Sequence, residues 1–334
     1  MKSKVEKTII IAEVGVNHNG KMDIAKKLID VASAAGADYV KFQTFDVDRL
    51  ILESTQTAEY QKKNLKNNIS QYSMLKKYQL SLNNHKSLAN YCKKKNIKFL
   101  STAFDEKSLE LLNKFNLDFI KIPSGEITNF PLLKIISKLK KKILLSTGMA
   151  SIKEIEKALK VLKRKKKEIT ILHCTSDYPA ELNDLNLNFL HNLKKFGYNI
   201  GYSDHSASVI TPSIAVSLGC KVIEKHFTLS VKMKGPDHKA SLEPRELKKM
   251  INYVRQTEKM LGENKKKITS SEKKTKFLVR KSLVALKDIS KGEKFTYNNL
   301  TTKRPGTGIS PFKIIDFIGK RSKKNFKKDE LIKK

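Results

Sequence analysis

The 334-residue sequence has no apolar run of 18 or more residues, which excludes an α-helical membrane span. It shows no secretion signal either. The opening MKSKVEKTIIIAEVGV is basic and then apolar, but it meets Glu13 at once and runs into NHNG, so it reads as a first core strand. Cysteine is sparse: Cys92, Cys174 and Cys220 form no CxxC pair and no disulfide framework, which fits a reducing cytoplasm, the expected location. Acidic residues are few, 33 against 68 Lys and Arg, for a net charge of +35. Such a surplus raises the question of a polyanionic partner. Arginine, which reads bases and phosphates bidentately, is also scarce, with seven in the chain. The basic residues gather in short clusters at 93–95, 140–142, 163–167 and 265–267, at the ends of apparent helices, with no aromatic-interleaved stripe, zinc finger or helix-turn-helix pattern. They are read as solvated faces that help steer anionic substrates, with no specific nucleic-acid role and no membrane.

What the sequence does have is alternation. Short apolar runs at 8–14, 39–43, 97–101, 118–122, 143–146, 169–173, 198–202 and 221–225 alternate with helical patterns at 21–35, 81–95, 105–116, 130–140, 151–165, 185–196, 209–219 and 243–261. The fifth of these helical patterns, 151–165, opens with a Ser-x-x-Glu capping box, Ser151–Glu154. Eight such repeats predict a (β/α)8 TIM barrel, with a doubly wound sheet as the competitor. The polar stretch 45–80 is long for a strand-to-helix connection and reads as a lid or substrate-binding element. Beyond 261 the register changes. The expected division is a barrel at 1–263, a lysine-rich linker at 264–277 with room for a short helical turn, and a small turn-rich β domain at 278–334. So small a domain makes a marginal core, and a barrel mouth, in its own subunit or a neighbour's, is its natural support.

Barrel chemistry collects at the C-terminal ends of the strands. Two of these ends, GYSDH (201–205) and EKH (224–226), each carry a histidine after a short apolar run. If the runs are neighbouring parallel strands, His205 and His226 leave the same rim and can share a divalent metal, beside Asp204, Glu224 and Asp237. The plainer alternative is two histidines hydrogen-bonded at strand ends. Lysines inside apolar strands (Lys41, Lys121, Lys225) are costly unless carboxylates or bound anions pair with them. With hydroxyls at Ser101, Ser124, Ser146 and Ser203, they describe an anionic substrate, a phosphate with a carboxylate, held beside the metal. An internal salt-bridge network of Lys41 and Lys121 with Glu13 and Glu126 is the competing explanation. A Schiff-base reading, with Lys121 or Lys225 as nucleophile, also stands at this point.

Ten blocks then resemble the sialic acid synthase family: IAEVGVNHNG (11–20), VKFQTF (40–45), STAFDE (101–106), FIKIPSGEI (119–127), LLSTGMAS (144–151), LHCTSDYP (172–179), GYSDH (201–205), EKHFTL (224–229), GPDHKASLEP (235–244) and KRPGTGISP (303–311). The resemblance spans essentially the whole chain. It implies a TIM barrel followed by a small antifreeze-like (SAF) domain that covers the partner's barrel mouth in a homodimer. The implied reaction condenses phosphoenolpyruvate with open-chain N-acetylmannosamine and water to give N-acetylneuraminate and phosphate, with C–O cleavage. The alternative is a legionaminate or pseudaminate synthase using a related acetamido-dideoxy sugar. An ice-binding role suggested by the small domain alone leaves the metal and anion constellation unexplained. By resemblance, His205 and His226 match the ligands of a divalent metal, usually Mn2+, with Mg2+ or Co2+ as alternatives. Lys41 matches the residue near the phosphoenolpyruvate carboxylate. Thr102, Lys121, Ser124, Ser146 and Ser203 match groups that hold its phosphate and enol. Glu13, Gln43, Tyr178, Glu126 and Asp237 match groups around the sugar, with Glu13 also a candidate to orient water. Arg304 matches an arginine that the partner subunit places against the N-acetyl group. Ser176, where several acetylneuraminate synthases carry Asn, is a substrate-binding position that departs from the pattern; Ala103 and Lys234, where proline is common, are lesser departures.

Overall fold

Eight of the apolar runs form parallel strands that close on themselves in chain order: β1 (Ile9–Gly15), β2 (Tyr39–Thr44), β3 (Lys98–Ala103), β4 (Phe119–Ile122), β5 (Lys142–Ser146), β6 (Ile169–Cys174), β7 (Asn199–Asp204) and β8 (Val222–His226), with β8 paired back to β1. This computed structural model describes residues 7–57 and 70–333. Two compact units divide the chain, Met1–Glu263 and Asn264–Lys334. The first is a TIM barrel and the second a small β-containing unit.

The strands are apolar on both faces because both faces are covered. Outward residues such as Ile10, Val40, Ile143, Ile171 and Ile223 pack under helices in one continuous core. Inward, Ile11, Tyr39, Leu100, Phe119, Leu144, Leu172 and Val222 form a separate plug with one side chain from each strand except β7. There Gly201 takes the place, since a Cβ would press against the Leu172 side chain and come 2.7 Å from the Val222 carbonyl oxygen. Side chains alternate along a strand. The next inward layer toward the C-terminal ends therefore begins at Glu13, Lys41, Thr102, Lys121, Ser146, Cys174, Ser203 and Glu224.

The surrounding helices follow from their apolar stripes and caps. In α1 (Met22–Ala35), Ala25, Leu28, Ile29 and Ala32 are buried on one face, and Gly36 ends the helix in the left-handed region at φ +89. Short α2 (Val47–Leu50) and α3 (Gln71–Tyr78) occupy half of the described part of the 45–80 stretch read from sequence as a loop. Phe45, Val47, Met74 and Tyr78 form a cluster of their own with Val16, and the i, i+4 spacing of Met74 and Tyr78 puts both on one face. Residues 58–69 of that expected lid lie outside the described residues. The ring continues with α4 (Leu82–Lys94), α5 (Glu106–Asn113), α6 (Phe130–Lys138), α7 (Ile152–Leu162), α8 (Leu190–Lys195), α9 (Thr211–Ser217) and α10 (Pro244–Leu261). The Ser151–Glu154 capping box is formed at the start of α7. The expected helix at 185–196 is shorter, with two 3-10 turns preceding α8.

In the second unit the stretch read as a linker carries a ten-residue helix, α11 (Ser270–Val279), capped by Thr269 and boxed with Glu272. Strands β9 (Ser282–Ala285) and β10 (Leu300–Lys303) pair antiparallel. Their core is Leu283, Ala285, Ile289, Phe295, Leu300, Phe326 and Ile332. Among the described residues no helix is long and apolar enough to cross a membrane.

Candidate active site

Above the apolar plug the barrel interior turns charged. Lys41 Nζ lies 2.8 Å from Glu13 Oε2 and 3.6 Å from Glu224 Oε2, and donates to Thr102 Oγ1 at 2.7 Å. Lys121 Nζ donates to Ser146 Oγ at 2.6 Å and stands 3.6 Å from Glu224 Oε1. Ser203 Oγ donates to the same carboxylate oxygen at 3.0 Å, and Gln43 Nε2 approaches Glu13 Oε1 at 3.4 Å. All these side chains except Gln43 are buried. The salt-bridge network anticipated from sequence is therefore present, but its second carboxylate is Glu224, not Glu126. Half-buried Glu126 accepts instead from Asn129 Nδ2 at 2.6 Å, in the 3-10 turn after β4.

Two carboxylates share two ammonium groups here, and their protonation diverges. Burial pushes the Glu13 carboxyl up to about 7, against the attraction of Lys41 and with help from the negative Glu224. Burial also opposes charge on Glu224, yet Lys121 and Lys41 hold it at about 2. Near neutral pH the ring therefore has one firmly ionised carboxylate, one that titrates, and two lysines. Removing the Glu13 charge leaves a net positive pocket rimmed by hydroxyls, suited to an anion.

Beside this pocket stand the two histidines. The His205 and His226 ring centroids are 5.6 Å apart, and Tyr178 stacks on His205 at 4.2 Å. The contact of His205 Nδ1 with Thr175 O at 2.7 Å makes Nδ1 the donor, so Nε2 presents its lone pair, 3.1 Å from the Tyr178 hydroxyl. His226 Nδ1 is buried with no hydrogen-bond partner. Burial, His205 and Lys41 keep the His226 imidazole well below its ordinary pKa, hence neutral. Burial would lower His205 too, but Cys174, whose Sγ is 3.6 Å from Nδ1, raises it. A neutral imidazole with an orphan nitrogen, beside a second ring whose Nε2 lone pair meets the Tyr178 hydroxyl, fits a divalent cation. No group of three or more His, Cys, Asp or Glu side chains converges for one among the described residues. Two protein ligands leave the remaining positions to water and substrate oxygens.

Ser124 closes the next sector of the rim and accepts from the Gly148 amide at 2.9 Å. A Cβ at Gly148 would collide with Ser176 Oγ, which places Ser176 at the same edge. Asp237 lies buried in the loop after β8, where its carbonyl accepts from Ser241 Oγ and its charge reaches Tyr78 of α3. Arg304 belongs to the second unit and is exposed immediately after β10.

Several rim residues turn away from the interior. Lys225 lies on the outer face of β8 in a fully buried pair with Asp204 at 2.7 Å, so neither is part of this pocket and the Schiff-base role for Lys225 is excluded. His173 bonds Leu185 O and Ser101 bonds Thr44, both behind the wall. Glu224, expected from sequence beside the metal but not as the partner of the lysines, and Cys174, given no role, face inward by contrast. The signal was available: Glu224 stands two residues before His226 on one strand, hence on the same face.

A model described as the NeuB family matches residues 28–266, and one described as the SAF domain matches 280–334. The N,N'-diacetyllegionaminic acid synthase of Campylobacter jejuni is 53% identical over 98% of this chain and 100% of its own. The pseudaminic acid synthase of the same organism is 35% identical over 98% and 96%. Among solved structures, the N-acetylneuraminic acid (sialic acid) synthetase of Leptospira borgpetersenii, in complex with citrate, superposes with a TM-score of 0.71 at 33% identity, over 82% of this chain and 92% of its own. An eight-stranded barrel followed by a small β-containing unit agrees with these matches, and the chain belongs to the NeuB family of sugar synthases, with a C-terminal SAF domain.

Proposed function

We propose that the protein is an N,N'-diacetyllegionaminate synthase. It joins C3 of phosphoenolpyruvate to the aldehyde carbon of an open-chain six-carbon sugar bearing two acetamido groups, adds water at C2 and releases phosphate. The sequence blocks alone favour N-acetylneuraminate as product. The 53% end-to-end identity to a diacetyllegionaminate synthase, against 35% and 33% for the pseudaminate and N-acetylneuraminate relatives, supports the legionaminate alternative better. Ser176 agrees with that choice, because a side chain shorter than Asn leaves room for a second acetamido group.

The reaction class rests on one observation: Lys41 and Lys121, each bonded to a hydroxyl, line the same end of the barrel as the His205–His226 pair. In this reading Lys41 holds the phosphoenolpyruvate carboxylate, while Lys121, Thr102, Ser124, Ser146 and Ser203 hold its phosphate and enol oxygen. Gln43, Tyr178, Glu126, Ser176 and Asp237 surround the sugar. A divalent cation held by His205 and His226, Mn2+ by family likeness, would polarise the aldehyde oxygen. As C3 attacks, positive charge develops at C2, next to the ionised Glu224. Glu13, poised near neutrality, takes a proton from the water that adds there. The resulting tetrahedral centre breaks its C2–O bond, so phosphate leaves with that oxygen, its charge met by the lysines and hydroxyls. The SAF domain of a second copy covers the barrel mouth and brings Arg304 to the sugar.

Purified protein given phosphoenolpyruvate, Mn2+ and a panel of acetamido hexoses tests the proposal. The expected result is phosphate release matched by a nine-carbon product mass, fastest with the diacetamido sugar. Faster turnover of N-acetylmannosamine would return the reading to N-acetylneuraminate. Release without any sugar would end the synthase assignment.

A further inference from the structure

The two candidate cation ligands are each preceded by a charged residue that points the other way, and those two residues meet. Asp204 and Lys225 are direct register partners on β7 and β8, the last pair of that ladder, and their side chains are fully buried behind the barrel wall. Immediately beyond them the chain places His205 and His226. Lys225 Nζ donates to Asp204 Oδ2 at 2.7 Å and to the Ser206 carbonyl at 2.5 Å, so one ammonium grips the residue before and the residue after His205. Asp204 completes the turn: it accepts the Ser206 amide at 2.9 Å and the Tyr202 hydroxyl at 3.1 Å on Oδ1, and the Thr211 hydroxyl at 2.5 Å on Oδ2. Among the described residues, none of these hydrogen bonds reaches the inward ring of lysines and carboxylates.

Stability alone does not account for such a pair. Desolvating two ions often costs as much as their attraction returns, and apolar replacements of similar volume are frequently neutral or better. What the pair supplies is position, since it ties the backbone on both sides of His205 to the residue adjoining His226. We propose that Asp204 and Lys225 are positioning residues that set the separation of the two imidazoles and so tune cation affinity. The proposal rests on the reading of His205 and His226 as cation ligands. Neither side chain bonds an imidazole; like the supporting groups behind metal ligands, whose loss typically weakens metal binding while the ligands stay in place, they act through the backbone that carries His205 and His226.

The test is Mn2+ binding to the metal-stripped full chain, followed by electron paramagnetic resonance titration, with circular dichroism and Tm measured in parallel. The double variant Asp204→Asn with Lys225→Met removes the pair without changing net charge or leaving a lone buried ion. It is expected to retain the barrel's circular dichroism and to bind Mn2+ at least about tenfold more weakly. A merely structural pair would shift Tm and leave the affinity alone, so a folded double variant with wild-type affinity overturns the clamp. His226→Ala separates the two ideas. Mn2+ binding that survives this change overturns the cation site and the clamp together, whereas binding lost in His226→Ala but intact in the double variant overturns the clamp only. Should the double variant not fold, Thr211→Val, which removes one donor to Asp204 and keeps both charges, decides: about threefold weaker binding supports the clamp, and unchanged affinity overturns it.

Discussion

Glu13 is the residue whose protonation has the clearest consequence. Its pKa is raised to about 7 by burial, so it gains a proton as pH falls through neutrality. If it accepts a proton from the adding water, kcat/KM falls about tenfold per pH unit below that point. Glu13→Gln should lower the rate and abolish this acid limb, and a pH–rate profile of both proteins reads the difference. At the sugar end, Ser176→Asn should reduce kcat/KM for the diacetamido sugar by about tenfold, the scale on which a pocket senses one extra small group, while the value for N-acetylmannosamine falls less. The residues that the structure gathers into the charged ring and the histidine pair were legible from sequence because each sits at a strand end, but their facing was not fully used. Lys225 and Lys121 look alike as lysines within apolar strands. Counting in twos from the plug residues Val222 and Phe119 gives Glu224 inward, Lys225 outward and Lys121 inward. The parity that excludes Lys225 is the same parity that brings Glu224 in.

At the scale of elements, eight strand signals were enough for the barrel, because continuous apolar runs of this length form parallel strands only when helices cover them. Three helices were not read. The described part of 45–80 is polar in composition, yet a few apolar residues at helical spacing with Phe45 and Val47 suffice for two short helices. Helix α11 was hidden by its lysines, although Thr269 and Glu272 spell a capping box. None of its residues is buried, so its cap matters locally: Thr269→Ala should cost about 1 kcal/mol of helix stability. Hydrogen exchange should then be faster across residues 270–276, with the barrel amides unaffected. Within the barrel, Gly15 has φ +54, and a Cβ there would come 3.0 Å from the His226 ring. Gly15→Ala should therefore cost about 1 kcal/mol or more in backbone strain and weaken Mn2+ binding by displacing that ring, as a calorimetric titration beside a thermal melt would report.

For the whole molecule, the family match gives two units in one chain, and the chemistry asks why the second is there. Phe312 and Ile315 of the SAF domain are 95% and 71% exposed, within a dozen residues of exposed Arg304. Apolar side chains so placed suit a surface that is covered in an assembly. Sedimentation should give a dimer, and Arg304→Ala should raise KM for the sugar more than KM for phosphoenolpyruvate. A mixture of Arg304→Ala with inactive His205→Ala chains should regain activity through hybrid dimers if the arginine serves the partner's site. The central claim, condensation of phosphoenolpyruvate with loss of phosphate through C–O cleavage, has a direct test. Phosphoenolpyruvate labelled with oxygen-18 at the oxygen bridging C2 and phosphorus is turned over with the diacetamido sugar, and both products are weighed by mass spectrometry. C–O cleavage puts the label in inorganic phosphate and none of it in an equimolar nine-carbon sugar acid; label retained in the sugar acid, with unlabelled phosphate, would contradict it.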